Sequence, residues 1–269
     1  MASSSPHTSA SPPPPSEPAA ILERARRLVA LGEEHELRMR VLGGVAVALR
    51  AAPRTPPALL RTGNDIDLAV EEGEGRRAGA VLGESGLVAL SERFNAVQGH
   101  RRLVFVEPHD PTAKVDVFVG DLEMCHVVPL RRRLGHDPLT LSPTDLLLSK
   151  GQIAQLSAKD RLDLYCLLWN HDVDADYVAA LCARDWGWWR TLGANLTAAR
   201  EALPELAGLA DEDRAPIDAR LRTLEQALAA APKSLRWRAR SRLGDRVRWY
   251  EEPEEIDAPA AGAASAISS

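Results

Sequence analysis

Aspartates alternate with apolar residues in two β-rich words of the sequence. The word NDIDL at 64–68 carries Asp65 and Asp67, and the word KVDVF at 114–118 carries Asp116. On a strand, residues i and i+2 project from one face, ~6.5–7 Å apart, so the two carboxylates share a face while the intervening apolar side chains face the core. Three carboxylates on one face repel one another unless cations lie between them, and Mg²⁺ prefers such hard oxygen ligands. The pattern predicts a two-metal site for phosphoryl chemistry. Solvated surface acids are the alternative interpretation of either word alone.

A glycine pair precedes the acidic word by about twenty residues. Gly43 and Gly44 follow a predicted strand at 38–42 and precede a predicted helix at 45–50. A strand that runs into glycines and a helix start exposes backbone N–H groups where phosphate oxygens bind. A glycine pair alone is more often just a tight turn, but together with the two acidic words it favours a phosphate site.

This order of motifs resembles the nucleotidyltransferase superfamily, whose fold is that of DNA polymerase β. The likeness covers roughly residues 36–170. The downstream words Ser149-Lys150 and KDRLDL at 159–164 resemble the AbiEii-type branch, which includes toxin components of type IV toxin–antitoxin systems. Antibiotic nucleotidyltransferases share the same core. The resemblance implies an α+β fold, with a mixed sheet and flanking helices followed by a C-terminal helical domain.

The resemblance also implies a role for each acidic and glycine position. Gly43 and Gly44 would cradle the triphosphate of an NTP such as ATP. Asp65 and Asp67 would ligate both Mg²⁺ ions, and Asp116 would bind the catalytic metal and assist deprotonation of the acceptor hydroxyl.

Four more polar residues complete the implied nucleotide site. Lys150 would contact the triphosphate, Lys159 and Asp160 would complete the polar wall, and Arg61 matches a basic position often seen there. Two positions depart from the family pattern: Val45 stands where Ser or Thr is frequent, and Gly63 where Thr is common.

Both lysines also have structural interpretations. Lys150 lies in an otherwise apolar helix and could extend its ammonium group to solvent. Lys159 and Asp163 have the i,i+4 spacing of a pair that merely supports its helix.

The expected activity is that of an enzyme that transfers NMP from an NTP to a hydroxyl acceptor and releases pyrophosphate. An AbiEii-like enzyme would act on RNA, such as tRNA, and would have a cognate antitoxin as partner. An antibiotic nucleotidyltransferase of the aminoglycoside or lincosamide type is the first alternative. A non-catalytic nucleotide-binding module on the same fold is the second, supported by Val45.

A basic segment near the carboxyl end favours the RNA acceptor. Residues 233–250 carry one lysine and six arginines against Asp245 alone, with Trp237, Trp249 and Tyr250 interleaved. Cations with aromatic rings are typical of surfaces that follow a phosphate backbone and stack on bases. A solvated helix face, paired with the acidic residues that follow, is the alternative.

Helix and strand signals are mixed before Ser142 and purely helical after it. The first part predicts a helix at 21–31, strands at 65–70, 102–107 and 114–119, and a helix at 76–84. Ser142 before Pro143 is a helix-start signal. The later helices are predicted at 146–156, 158–169, 175–183, 189–202, 215–230 and 235–242. The predicted organisation is a disordered tail at 1–20, a catalytic core at 21–141, a helical domain at 142–250 and a disordered acidic tail at 251–269.

Composition excludes several protein classes. The 269 residues contain no apolar stretch long enough to span a membrane and no signal-peptide pattern, so we expect no membrane partner. Three scattered cysteines argue against a disulfide framework and favour a cytoplasmic protein. The net charge of −5 arises largely in the tails, because the body is close to neutral. Charge alone therefore does not indicate a nucleic-acid partner.

Overall fold

The structure is a computed structural model that describes residues 17–61 and 63–252. Most of the predicted tails at 1–20 and 251–269 lies outside these residues. The first helix nevertheless begins at Glu17, so the last four residues of the predicted amino-terminal tail, 17–20, are helical. The proline that follows Glu17 is compatible with a first helical turn, where its missing N–H breaks no intrahelical hydrogen bond.

Five strands form one mixed sheet in the described part of the chain, and two short ones pair beside it. The strands are β1 (Met39–Leu42), β2 (Ile66–Val70), β3 (Val88–Ala89), β4 (Arg102–Glu107), β5 (Asp110–Val119), β6 (Leu122–Glu123) and β7 (Val127–Val128). The order in the sheet is β1-β2-β5-β4-β3; β2 and β5 are parallel and every other neighbouring pair is antiparallel. The mixed sheet with flanking helices agrees with the predicted α+β class.

The period-two pattern is confirmed for Asp67 and Asp116, whereas Asp65 lies in a bend just before β2 and outside the predicted strand. Ile66 and Leu68 on β2, and Val115 and Val117 on β5, are completely buried in the hydrophobic core. The alternate positions of both strands therefore point away from this core, toward the opposite face of the sheet.

Ten α-helices surround the sheet and follow it in the described residues. They are α1 (Glu17–Glu34), α2 (Gly43–Arg50), α3 (Gly75–Glu84), α4 (Glu92–Gln98), α5 (Pro143–Gly151), α6 (Ala158–Asn170), α7 (Ala175–Arg184), α8 (Trp186–Ala202), α9 (Asp211–Ala230) and α10 (Leu235–Ser241). The change to an all-helical chain at Ser142 is confirmed. The sequence missed β3, α4, β6 and β7, which are too short to show a period.

Serine caps begin the two helices that carry the lysines of interest. The Ser142 hydroxyl accepts the Asp145 N–H and donates to the Asp145 carboxylate, and Ser157 does the same with Asp160. Each reciprocal pair satisfies N–H groups that a helix start leaves unpaired.

α5 ends at Gly151, earlier than the predicted 156. The Asn195 amide donates to the carbonyl oxygens of Gly151 and Ile153, at 2.9 and 2.8 Å. A side chain from α8 thus satisfies the carbonyl groups at this helix end, an arrangement that local sequence does not reveal.

One hydrophobic core runs through both parts of the chain. Leu68 and Val117 of the sheet belong to the same buried cluster as Leu146, Leu192 and Ile217 of the later helices. The helices that follow Ser142 therefore pack onto the sheet unit instead of enclosing a separate core. Among the described helices, none is long and apolar enough to cross a membrane.

A buried hydrogen-bond chain attaches the last described residues to the body. Trp249 Nε1 donates to Thr191 Oγ1 at 3.0 Å, and the same hydroxyl lies 2.8 Å from His126 Nε2. Burial lowers the pKa of His126 to about 4, with Asp185 opposing the shift. The Thr191 hydroxyl can accept from Trp249 and hydrogen-bond the neutral His126 ring at the same time, because its oxygen has two acceptor sites and its hydrogen is a donor.

We predict that His126 makes the fold acid-sensitive between pH 6.5 and about 4. The unfolded chain takes up a proton there and the native chain does not, so stability is lost as pH falls through this window. The difference in unfolding free energy between wild type and His126→Asn should change by about 2–3 kcal/mol between pH 7 and pH 4. Urea unfolding at both pH values measures this change, and a constant difference would contradict the prediction.

Candidate functional site

The parallel pair of strands brings two of the predicted aspartates side by side. Asp67 on β2 and Asp116 on β5 are register partners, so their side chains leave the same face of adjacent strands, about 4.8 Å apart. Asp65 precedes β2 by one residue. Asp116 is 2% exposed, Asp67 half-buried and Asp65 exposed. The acidic side chains therefore extend from the sheet interior toward solvent.

Both carboxylate oxygens of Asp116 are ion-paired. Oδ1 accepts from Arg102 Nη2 at 2.7 Å and from Arg102 Nε at 2.8 Å, and Oδ2 lies 3.3 Å from Lys114 Nζ. Neither cation is among the site residues that the sequence predicted. Lys114 stands two residues before Asp116, so the period-two pattern could have identified it, whereas Arg102 is placed by the pairing of β4 with β5.

Asp67, in contrast, carries a charge without a partner. Between Glu17 and Glu252, leaving out Thr62, the structure shows no hydrogen bond or ion pair to the carboxylate of Asp65 or Asp67. Burial raises the pKa of Asp67 to about 7, with Asp116 adding to the shift and Lys150 opposing it. Desolvation also raises the pKa of Asp65, opposed by Lys114. Either a bound proton or a nearby cation relieves this unfavourable charge.

The glycine pair lies directly against this carboxylate. Gly43 has a φ of +71° and begins α2, and a Cβ there would overlap Asp67 Oδ2. A Cβ on Gly44 would come within 2.9 Å of the Arg61 guanidinium carbon. The preceding residue, Leu42, supplies no side-chain cap. The first N–H groups of α2 therefore emerge beside Asp67 without a capping side chain.

Val45 accounts for the departure from the family pattern at this turn. Its side chain is buried in the hydrophobic core, so this position offers no phosphate-binding hydroxyl. Any phosphate at the glycine turn is left to backbone N–H groups and neighbouring cations.

A second charged chain links Arg61 to α5 and α6 through Asp163. Arg61 donates from Nε and Nη2 to the two oxygens of Asp163, both at 2.6 Å. Lys150 Nζ lies 2.9 Å from Asp163 Oδ2 and 3.0 Å from Asp160 Oδ1. Lys150 is thus bound inside the protein, and its interpretation as a solvent-directed lysine is wrong. Asp163 is 1% exposed and holds two of the predicted nucleotide ligands in place.

The sequence analysis treated Asp163 only as a helix-supporting partner of Lys159. In the structure Asp163 pairs with Arg61 and Lys150 instead. Lys159 is exposed, and its positive charge opposes the upward shift that desolvation causes in the pKa of Asp65. The i,i+3 spacing of Asp160 and Asp163 was the signal that both carboxylates share one helix face.

The donor chemistry at Asp65 and Asp67 fits Mg²⁺. Both are hard carboxylate oxygen ligands, and the raised pKa of Asp67 marks an uncompensated negative charge. Within residues 17–61 and 63–252, however, no three acidic, histidine or cysteine side chains are grouped closely enough to hold a metal ion. For Asp116 to ligate a metal together with Asp65 and Asp67, its ion pairs with Arg102 and Lys114 would have to be replaced by contacts with the metal.

Comparison with known protein families and with curated proteins gives no match for this chain. The residues of the site therefore carry the functional argument.

We predict that Asp67→Asn stabilises the fold at neutral pH and removes its response to Mg²⁺. The native chain holds the Asp67 proton up to about pH 7, against an ordinary value of 3.8. The contribution of this bound proton to the free energy of unfolding is therefore full below pH 3.8 and is lost as pH rises through 7. Allowing for solvent screening, the variant should gain about 2 kcal/mol at pH 8 and little at pH 4.

Chemical unfolding with and without Mg²⁺ measures both effects. Asp176→Asn, at an exposed aspartate on α7, serves as the matched control and should behave as wild type. Equal stabilisation of wild type and Asp67→Asn by Mg²⁺ would contradict the assignment of Asp67 as a ligand.

We predict that Gly43→Ala loses ligand response, whereas Gly73→Ala does not. Both glycines have positive φ, +71° and +86°, so each alanine costs about 1–2 kcal/mol of backbone strain. Only the alanine at 43 displaces Asp67, since nothing lies within 4 Å of a Cβ at Gly73. The melting-temperature increase with Mg²⁺ and ATP should persist in Gly73→Ala and vanish in Gly43→Ala; the same increase in both would refute a role for Gly43 at the site.

Proposed function

We propose that this protein is a Mg²⁺-dependent nucleotidyltransferase that transfers NMP from an NTP to a hydroxyl acceptor. The observation that carries the proposal is the placement of Asp67. Its unpartnered carboxylate lies on the same sheet face as Asp116 and directly against the first turn of α2, where backbone N–H groups lack caps. A metal-bound triphosphate has the charges that satisfy both features.

Asp65 and Asp67 would hold the Mg²⁺ ions, with Asp116 as the third ligand implied by the family resemblance. When bound, the ions neutralise charge on the triphosphate and lower the pKa of the acceptor hydroxyl. The N–H groups of Gly43 and Gly44 would donate to phosphate oxygens at the positive end of α2.

The cations at the site would position the substrate. Lys150 is held by Asp160 and Asp163, and Arg61 is held over Gly44 by the same Asp163. Side chains fixed in this way lose little entropy when a phosphate arrives, which favours in-line geometry. Lys159 is exposed beside Asp65 and available to the triphosphate.

The reaction would proceed by attack of the acceptor oxygen on the α-phosphorus. The bond from this phosphorus to the oxygen that bridges it to the β-phosphate breaks, and pyrophosphate leaves. The acceptor proton passes to the carboxylate cluster, in which the resemblance gives Asp116 this role. The ion pairs of Asp116 with Arg102 and Lys114 must loosen for it to take part.

Label transfer tests the proposal. The protein is incubated with Mg²⁺ and each α-³²P NTP in turn, together with total tRNA or a panel of hydroxylated antibiotics. Asp65→Asn/Asp67→Asn should lower transfer by about 10³-fold or more, because metal and phosphate charge lose their ligands. Asp176→Asn should retain wild-type activity. Unimpaired transfer by the double variant would overturn the proposal, and Mg²⁺–NTP binding without transfer to either class would favour the non-catalytic module.

A further inference from the structure

A cavity of about 310 Å³ opens at the carboxyl-terminal end of the described chain, on residues other than those of the aspartate site. It lies at the junction of α7 and α8, and is closed by α10 and residues 248–251. We call it the arginine–tryptophan cavity, because its lining includes Arg184, Arg236, Arg240, Trp186 and Trp249. Its volume is at the lower end of the range of small-ligand sites.

Aromatic rings form one side of this cavity in fixed positions. Trp249 contacts Trp186 edge to face at 6.0 Å between centroids, and contacts Tyr250 in the same way at 5.5 Å. Trp249 is also hydrogen-bonded to Thr191. Trp186 is buried, whereas Trp249 and Tyr250 are partly exposed. Arg190 covers one face of Trp249 at 5.4 Å from its centroid, and Arg248 covers one face of Tyr250 at 5.0 Å. The cavity therefore offers the remaining surfaces of two ordered rings.

Arg240 holds the loop that closes the cavity. Its guanidinium lies 4.6 Å from the Trp186 ring centroid and donates to the carbonyl oxygens of Gly244 and Val247, at 2.9 and 2.6 Å. This arginine is structural, since its donors are used within the chain.

Two other arginines supply cations to the rim. Arg184 and Arg236 are exposed, and within the described residues neither makes an ion pair. The acids of the cavity offset them only in part: Asp185 accepts the N–H groups of Gly187 and Trp188 at the start of α8, and Glu251 is exposed. Arg248 is paired with Glu252. The rim thus keeps two cations beside two aromatic surfaces.

We propose that the arginine–tryptophan cavity binds one nucleotide unit of a single-stranded nucleic acid. Arg184 and Arg236 bind its flanking phosphates, and the base stacks on Tyr250, whose ring plane lies at 76° to that of Trp249, so that Trp249 meets the base with its edge. An acidic peptide satisfies the cations but leaves the aromatic surfaces unused, and a duplex keeps its bases inside the helix. This inference goes beyond the proposed function and stands on different residues, so either can fail alone.

Fluorescence anisotropy of the full chain with a labelled 12-nucleotide uridine RNA tests the cations. Arg184→Ala/Arg236→Ala removes two phosphate contacts, which should weaken binding roughly 10- to 30-fold at 0.1 M salt and reduce the slope of log K against log salt by about 1.4. Arg26→Ala/Arg76→Ala makes the same charge change at two exposed arginines of α1 and α3. Equal weakening by both double variants would overturn the proposal, because it would show a general charge effect.

The stacking part has its own test on the unaltered protein. An abasic phosphodiester of the same length carries the same charge, so it should bind at least about tenfold more weakly if a base stacks in the cavity. Tyr250→Phe should bind as wild type, and Tyr250→Ala should lose affinity. Equal affinity for the uridine and abasic strands, or preference for a duplex, would refute the proposal.

The acidic residues beyond 252 provide the last control. Glu254→Gln/Glu255→Gln/Asp257→Asn neutralises them in the full chain. Binding of wild type and this variant within a few-fold of each other supports the nucleic-acid site. Binding that appears only in the variant would assign the cavity to the chain's own tail and overturn the proposal.

Discussion

The half-buried carboxylate of Asp67, which has no hydrogen-bond or ion-pair partner among the described residues, is the constraint on which the rest of the site depends. The carboxylate lies between the first turn of α2 and a second carboxylate on the neighbouring strand, and burial raises its pKa to about 7. Such a group costs free energy when it is ionised without a partner. Proteins retain costly charges mainly where they act on a ligand, and the glycine at position 43 exists here because no side chain fits beside this carboxylate.

The remaining charges of the site are balanced within the protein. Asp116 is neutralised by Arg102 and Lys114, while Asp163 neutralises Arg61 and Lys150 together with Asp160. Buried pairs of this kind contribute little net stability, but removing one partner is strongly destabilising. Their effect is to fix the cations in orientation.

The arginine–tryptophan cavity differs from the aspartate site in the sign of its charge and in the groups that order it. Its aromatic rings are ordered by hydrogen bonds and edge-to-face contacts, and the cations at its rim are left to solvent. The aspartate site concentrates negative charge, whereas this cavity presents positive charge and aromatic rings. If both proposals hold, the cavity anchors one part of a polynucleotide acceptor by stacking and phosphate contacts. A hydroxyl group elsewhere on the same polynucleotide then reacts at the aspartate site.

The sequence by itself determined most of the longer helices and strands and the sheet face of Asp67 and Asp116. The period of two in NDIDL and KVDVF is a property of any strand, so the burial of the residues between the aspartates followed directly. The serine caps before α5 and α6 are equally local. Only the tertiary structure decided that β2 and β5 are adjacent and parallel, which makes Asp67 and Asp116 neighbours. It also decided that Asp163 holds Arg61 from 102 residues away and that Asn195 ends α5. These contacts join segments that are distant in the sequence and meet only through tertiary packing. Hydrophobic periodicity and helix caps are local signals, so they do not predict which segments will be in contact.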